Sequence, residues 1–174
     1  MANARVRCVG CGGMFPEIAG PTHRYMESSP GCWAAYGEVI ARQYTDVNYA
    51  AAGQLIVDAY AVQHPGRPSP QSIQSVALHL IGLCLVLERG VSARATTAMI
   101  QTAAKDKQKF VWLTPPPSMG PLTVVEVAAA TSAVEHVARV RAWAASAWEA
   151  WKQHHVRVSG WLDSAELGMA RPTG

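Results

Sequence analysis

The sequence has little charge and no dense basic patch. Only 16% of its 174 residues are charged, and the net charge is +3 with neutral histidines. The basic residues are scattered, and the nearest approach to a cluster is Lys105, Lys107 and Lys109, interrupted by Asp106. Nucleic-acid binding depends on concentrated positive charge that faces the phosphates. The sequence therefore predicts no nucleic-acid partner.

Long apolar runs are also missing. The longest, Val76 to Leu87, covers 12 residues and is interrupted by His79, whereas a membrane-spanning helix needs about 20 apolar residues. The first residues, Met1 to Arg7, are mixed and polar, with no apolar segment typical of a secretory signal after them. We predict a cytoplasmic protein without a membrane segment, in which cysteines remain reduced.

The common catalytic and phosphate-binding motifs do not occur. There is no phosphate-binding loop, no dinucleotide fingerprint, no Gly-x-Ser-x-Gly and no His-Glu-x-x-His. Their absence leaves the cysteines and histidines as the main candidates for chemistry.

Helix-start signals recur along the whole chain. Capping residues stand before apolar segments of helical period, some followed by proline and some by glutamate three residues later. These starts are at Ser29, Asp46, Ser69, Ser92, Thr123 and Ser132. The segment from about Pro70 to Arg89 is apolar on most faces, which is typical of a central helix. The sequence predicts one all-α domain over residues 1–174, with a zinc-binding loop region at 1–32 and a helical bundle at 30–167.

The strongest chemical signal is the Cys8-x-x-Cys11 pair near the N-terminus. Zinc prefers tetrahedral sulfur and nitrogen ligands, and His23 and Cys32 are the nearby residues that could complete the set. We expect Cys32 in the first turn of a helix, where the helix dipole favours a thiolate. These four ligands would leave no position for water, so the zinc would be structural. If water or substrate replaced His23, the site would be catalytic instead.

A redox Cys-x-x-Cys motif is the alternative for this pair. Such a motif should open a helix, but Gly12, Gly13 and Pro16 follow Cys11 closely and interrupt one. Cys84 lies within the apolar central helix, and we interpret it as a small buried residue.

A second group of candidates lies within the predicted bundle. Asp58 interrupts an apolar run, His79 stands between two leucines, and His64 and His154 lie late in their predicted helices. Buried polar groups of this kind need partners. Asp58, His64, His79 and His154 could line a pocket for a small-molecule ligand, as acid–base groups or as ligands to a second metal. The alternative is that they are core or surface residues without a chemical role.

Several segments resemble a family of small uncharacterised bacterial zinc-binding proteins, defined as a domain of unknown function. The resemblance rests on Cys8-x-x-Cys11-Gly12, on the segments 20–25, 29–33, 57–65 and 72–80, and on Trp148 to Trp151 with His154 and His155. It covers almost the whole chain. It implies a relationship and a zinc site, but no reaction.

Two functions remain open from the sequence. The first is a small metalloenzyme that modifies a small molecule in a polar pocket between helices. The second is a non-enzymatic, zinc-stabilised module for binding or interaction, which would have an exposed apolar patch instead of a polar cavity. The polar residues in apolar surroundings favour the enzyme.

Overall fold

A computed structural model describes residues 4–169 of the chain, and the side chains as far as residue 164. Over these residues all regular secondary structure is helical, apart from one small two-stranded sheet. The prediction of an all-α bundle is confirmed.

The helices follow one another, and the longest connection lies between α5 and α6. They are α1 (Pro30–Ala41), α2 (Val47–Ala50), α3 (Gly53–Gln63), α4 (Pro70–Leu83), α5 (Ala93–Ala103), α6 (Val124–Ala128), α7 (Ala133–Ala150) and α8 (His155–Met169). Short 3-10 turns lie at Arg42–Tyr44, Lys107–Lys109 and Lys152–His154, and a π-helical turn at Cys84–Glu88 extends α4.

An antiparallel hairpin precedes the helices. Strand β1 (Arg5–Arg7) pairs with β2 (Met14–Pro16), so that Val6 lies opposite Phe15. The buried Phe15 side chain fixes the hairpin to the bundle. The turn between the strands contains Cys8 and Cys11, and we refer to residues 5–16 as the cysteine hairpin. The glycine-rich start of the chain therefore forms a compact support for two thiols.

The predicted helix starts are confirmed by their capping hydrogen bonds. In each case the side-chain oxygen accepts a backbone N–H from the first turn, which satisfies a group that has no partner within the helix. The capping residues are Ser29, Asp46, Ser69, Ser92, Thr123 and Ser132.

Two predicted helices are interrupted. The segment starting at Asp46 divides into α2 and α3, and the helix starting at Ser132 ends at Trp151, before α8 begins at His155. Trp151 leaves the helical conformation, and its buried indole N–H donates to the Val62 carbonyl at 3.1 Å. His136 is completely buried in α7.

Helices α3 and α4 form the centre of the bundle. They pack against each other, α3 also contacts α1 and α7, and α4 also contacts α5 and α8. Among the described residues, one stretch, Pro70–Glu88, has the length and apolarity of a membrane span, and it is 56% buried inside the protein. Its central position in the bundle explains that composition.

Candidate metal centre

Four buried side chains converge where the cysteine hairpin meets the bundle. The ligand atoms of Cys8, Cys11, Cys32 and His64 all lie within 4.8 Å of one another. Three of these residues were predicted as metal ligands from the sequence. The fourth, His64, comes from the helical bundle.

Three of the six distances among these atoms match those of a tetrahedral metal site. With bonds of about 2.3 Å to sulfur and about 2.0 Å to nitrogen, zinc places two sulfurs about 3.8 Å apart and a sulfur and a nitrogen about 3.5 Å apart. The Cys11 and Cys32 sulfurs are 3.8 Å apart, and His64 Nε2 lies 3.4 Å from the sulfurs of both Cys8 and Cys32. All four cysteines are free thiols, so no disulfide competes for these sulfurs.

Three separate elements supply the ligands. Cys8 and Cys11 lie in the turn of the hairpin, which is closed by the Cys8 N–H donating to the Gly13 carbonyl at 2.8 Å. Cys32 lies in the first turn of α1, where its N–H donates to the capping Ser29 hydroxyl. His64 follows the last residue of α3. A shared ion would therefore join the hairpin to two helices.

The His64 ring is oriented by the end of its own helix. The backbone N–H of His64 donates to the Ala61 carbonyl in a tightened last turn, which leaves the Tyr60 carbonyl available. His64 Nδ1 donates to that carbonyl at 2.7 Å. This bond fixes Nε2 as the nitrogen that faces the three sulfurs. Metal-binding histidines typically have such an outer hydrogen bond.

Further donors surround the sulfurs. The Ser29 backbone N–H points to Cys8 at 3.4 Å, and the Tyr60 hydroxyl lies 3.6 Å from Cys32. The Tyr60 ring also stacks on the His64 ring, with the centroids 4.0 Å apart. Hydrogen bonds of this kind stabilise thiolates and position the ligand ring.

The sulfurs also perturb one another's ionisation. Hydrogen bonds from Cys11 and Cys32 lower the pKa of Cys8 far below its ordinary value. Hydrogen bonds to Cys11 and Cys8, together with burial, raise the pKa of Cys32. The bond to Cys32 lowers the pKa of Cys11, but the bond to Cys8 and burial outweigh it, and the value rises to about 12. Protons thus stay on part of the cluster unless a cation supplies positive charge.

His23 is not a member of this cluster, contrary to the sequence prediction. Its Nδ1 accepts the backbone N–H groups of Tyr25 and Met26 at 3.4 Å each, and its ring packs against Trp33. These contacts hold His23 within its own loop. The position expected for it is taken by His64.

The predicted pocket of Asp58, His64, His79 and His154 does not form as a unit. His64 belongs to the metal cluster, and His154 contacts the Thr114 carbonyl at 2.9 Å. Asp58 and His79 do come together, because Asp58 Oδ1 accepts the Nδ1–H of His79 at 2.8 Å. Two of the four residues therefore form a pair between α3 and α4.

The remaining cysteine is buried apart from this cluster. Cys84 begins the π-helical turn after α4, and burial raises the pKa of its thiol. Its position agrees with the interpretation as a small core residue.

One local signal could have identified His64. It stands four residues after Tyr60 and directly before Pro65, at a place where a helix must end. A carbonyl without a helical partner is expected there, and it can accept from the imidazole. His23 was predicted instead because it lies nearer to the cysteines along the chain.

The fold and the converging ligands define a small helical protein with a buried Cys3His cluster suited to a metal ion. The model of DUF5946, a family of unknown function, matches residues 6–152, and the chain belongs to this family. The match includes all four ligands of the cluster as well as Asp58 and His79. No curated protein and no solved structure matches the chain.

Proposed function

We propose that this protein is a zinc protein in which one Zn²⁺ is bound by Cys8, Cys11, Cys32 and His64. The observation that supports this most is the spacing of the four ligand atoms, which agrees with a tetrahedron around a single ion. Three thiolates and one imidazole are a ligand set typical of zinc.

The role of this zinc is structural. Four protein ligands fill a tetrahedral site and leave no position for water or substrate. All four side chains are buried, and Cys11, the most exposed of them, is only 7% exposed. The ion would hold the cysteine hairpin and the start of α1 against the end of α3.

A metal count on the purified protein tests this proposal. Native mass spectrometry and elemental analysis should give one zinc per chain. Cys8→Ser and His64→Gln should each reduce the zinc content strongly, because each removes a ligand. Cobalt substituted for zinc should show the visible absorption of tetrahedral thiolate coordination.

Two matched controls distinguish the cluster that contains His64 from the predicted one that contained His23. His23→Gln and Cys84→Ser alter a histidine and a cysteine outside the cluster, so both should retain the full zinc content. A protein purified without any metal would contradict the proposal. So would the loss of zinc in His23→Gln but not in His64→Gln.

A non-enzymatic binding module is the second candidate. Val9, Met14 and Ile18 are exposed on or just after the cysteine hairpin. Met14 and Ile18 also line a groove of about 420 Å³ against α1 and α6. Exposed apolar residues beside a rigid element favour recognition of a partner. In this alternative the structural zinc would stabilise the binding surface.

A further inference from the structure

The proposed zinc site does not explain why Asp58 and His79 form a pair between two helices. Asp58 is completely buried in α3, where an ionised carboxylate is costly unless it is paired. Its Oδ1 accepts both the Gln54 side-chain amide and His79 Nδ1, each at 2.8 Å. Its Oδ2 has no hydrogen-bond partner among the described residues. The carboxylate is thus held rigidly and only partly satisfied.

His79 connects this buried carboxylate to the surface. The side chain of Asp58 is fully shielded, whereas that of His79 is 21% exposed. Because Nδ1 donates to the carboxylate, the neutral ring carries its lone pair on Nε2. An imidazole oriented in this way by a carboxylate can act as a general base on a molecule whose proton lies within hydrogen-bond reach.

The exposed side of His79 borders a small hollow of about 220 Å³. Besides His79, the lining consists of two primary amides, two hydroxyl groups and one aliphatic side chain. These residues are Gln71, Gln74, Tyr25, Ser75 and Leu78. The amides and hydroxyls can donate to a carbonyl oxygen, and no carboxylate or basic side chain stands among them. Such a lining suits a small uncharged molecule, because the volume lies below the range of about 300–1,000 Å³ of ordinary ligand pockets.

We propose that Asp58 and His79 form a general-base pair that hydrolyses a small uncharged carbonyl compound bound in this hollow. His79 Nε2 removes a proton from a water molecule as the water oxygen bonds to the carbonyl carbon. The same proton then passes to the leaving group as its bond to that carbon breaks. The products are the acid and the protonated leaving group, and His79 returns to its neutral form. Asp58 is the positioning residue, and His79 is the catalytic residue.

Hydrolysis of p-nitrophenyl acetate, a small uncharged ester, tests the proposal. His79→Gln should lower the protein-dependent rate by about 100-fold, the lower end of the contribution of a positioned general base. Asp58→Asn keeps the shape but removes the charge, and it should lower kcat by no more than the about 100-fold expected for His79→Gln, with little change in KM. The matched control His154→Gln alters a histidine outside the hollow and should leave the rate unchanged.

The result that overturns the proposal is a wild-type rate no higher than that of His79→Gln. Zinc content is measured for every variant, because His79 lies outside the cluster and its replacement should not affect the metal. If the wild-type protein contained no zinc, the zinc proposal would fail, and the comparison of rates would still decide the role of His79.

A spectroscopic measurement keeps the proposal testable even if the Asp58 variant folds poorly. Long-range ¹H–¹⁵N correlation spectra of the wild-type protein should show neutral His79 with its proton on Nδ1. Imidazoles without a fixed partner can adopt either form. A His79 ring with its proton on Nε2 would have no lone pair available in the hollow and would contradict the assigned role.

Discussion

Helix α3 contributes to two sites that differ in their access to solvent. At its end, His64 faces three buried sulfurs, and no ligand of that cluster is more than 7% exposed. In its middle, Asp58 pairs with His79, whose side chain is 21% exposed beside a hollow. The first arrangement suits an ion that stays in place, and the second suits proton exchange with a small molecule. In both sites the Nδ1 of the histidine contacts an oxygen atom, and the sites differ in the surroundings of the other ring nitrogen.

The two sites should respond very differently to metal removal. Structural zinc contributes about 10–16 kcal/mol of binding free energy in small zinc-dependent folds, whereas the total stability of a domain is about 5–15 kcal/mol. We expect chelation of zinc to lower the melting temperature sharply and to release the cysteine hairpin from the bundle. Thermal unfolding followed by circular dichroism, with and without chelator, measures this effect.

Restoring zinc should recover the original melting curve, which is the control for damage by the chelator. The His79→Gln protein should show the same dependence on zinc as the wild type, because its change lies at the other site. If elemental analysis verified complete removal of zinc while the melting temperature stayed the same, the ion would have no structural role.

Replacement of Gly82 by alanine should damage the Asp58–His79 site, which we call the open site, by overpacking. A Cβ atom at Gly82 would lie 2.4 Å from Asp58 Oδ2, so the carboxylate or helix α4 would have to move. Alanine normally stabilises a helix by about 1 kcal/mol relative to glycine, but overpacking of a core costs about 1–3 kcal/mol. We expect Gly82→Ala to lower the free energy of unfolding and to disturb the Asp58–His79 hydrogen bond.

Gly37→Ala is the matched control for that substitution. Gly37 also lies within a helix, but a Cβ there would have no neighbouring atom within 4 Å. Its replacement should stabilise the protein by about 0.5–1 kcal/mol in chemical denaturation. Equal stabilisation by both substitutions would show that the close approach of α4 to Asp58 is absent in solution.

Gly10→Ala should act in the same steric way on the Cys3His cluster, which we call the closed site. A Cβ at Gly10 would lie 2.4 Å from the His64 ring and 2.6 Å from the Glu27 carbonyl oxygen. The hairpin would have to move away from His64, and outer changes of this kind lower metal affinity by about 10- to 100-fold. Competition with a chelating dye measures this loss.

Val9→Ala is the control. Val9 directly precedes Gly10 in the same turn, and its side chain is 76% exposed. The Val9→Ala protein should bind zinc as the wild type does. A Gly10→Ala protein with unchanged zinc affinity would mean that the hairpin does not lie directly over His64.

The sequence allowed the local parts of the closed site to be predicted. Cys8 and Cys11 lie in one turn, and the capping signal at Ser29 places Cys32 in the first turn of α1. The fourth ligand depends on the packing of α1 and the hairpin against the end of α3. The helix end before Pro65 marks His64 as an oriented imidazole, but its distance from the cysteines becomes defined only in the folded chain.

The Asp58–His79 site, too, could be predicted from the sequence only in part. Asp58 was recognisable as a carboxylate within an apolar run, and His79 as an imidazole between leucines. Their pairing follows from the packing of α3 against α4, to which Gly82 contributes by leaving room for the carboxylate. His154 could not be separated from them by pattern, since its place depends on the break at Trp151 and on the contact with Thr114.

The smallest effect should come from the hydroxyl of Tyr60. Tyr60→Phe keeps the ring that stacks on His64 at 4.0 Å but removes the hydroxyl 3.6 Å from Cys32. One hydrogen bond contributes about 1 kcal/mol, so zinc affinity should fall by roughly 5-fold. Tyr36→Phe is the control, because Tyr36 also stacks on Tyr60 but is not a neighbour of the sulfurs. If both variants bound zinc as tightly as the wild type, the hydroxyl would have no role in stabilising the Cys32 thiolate.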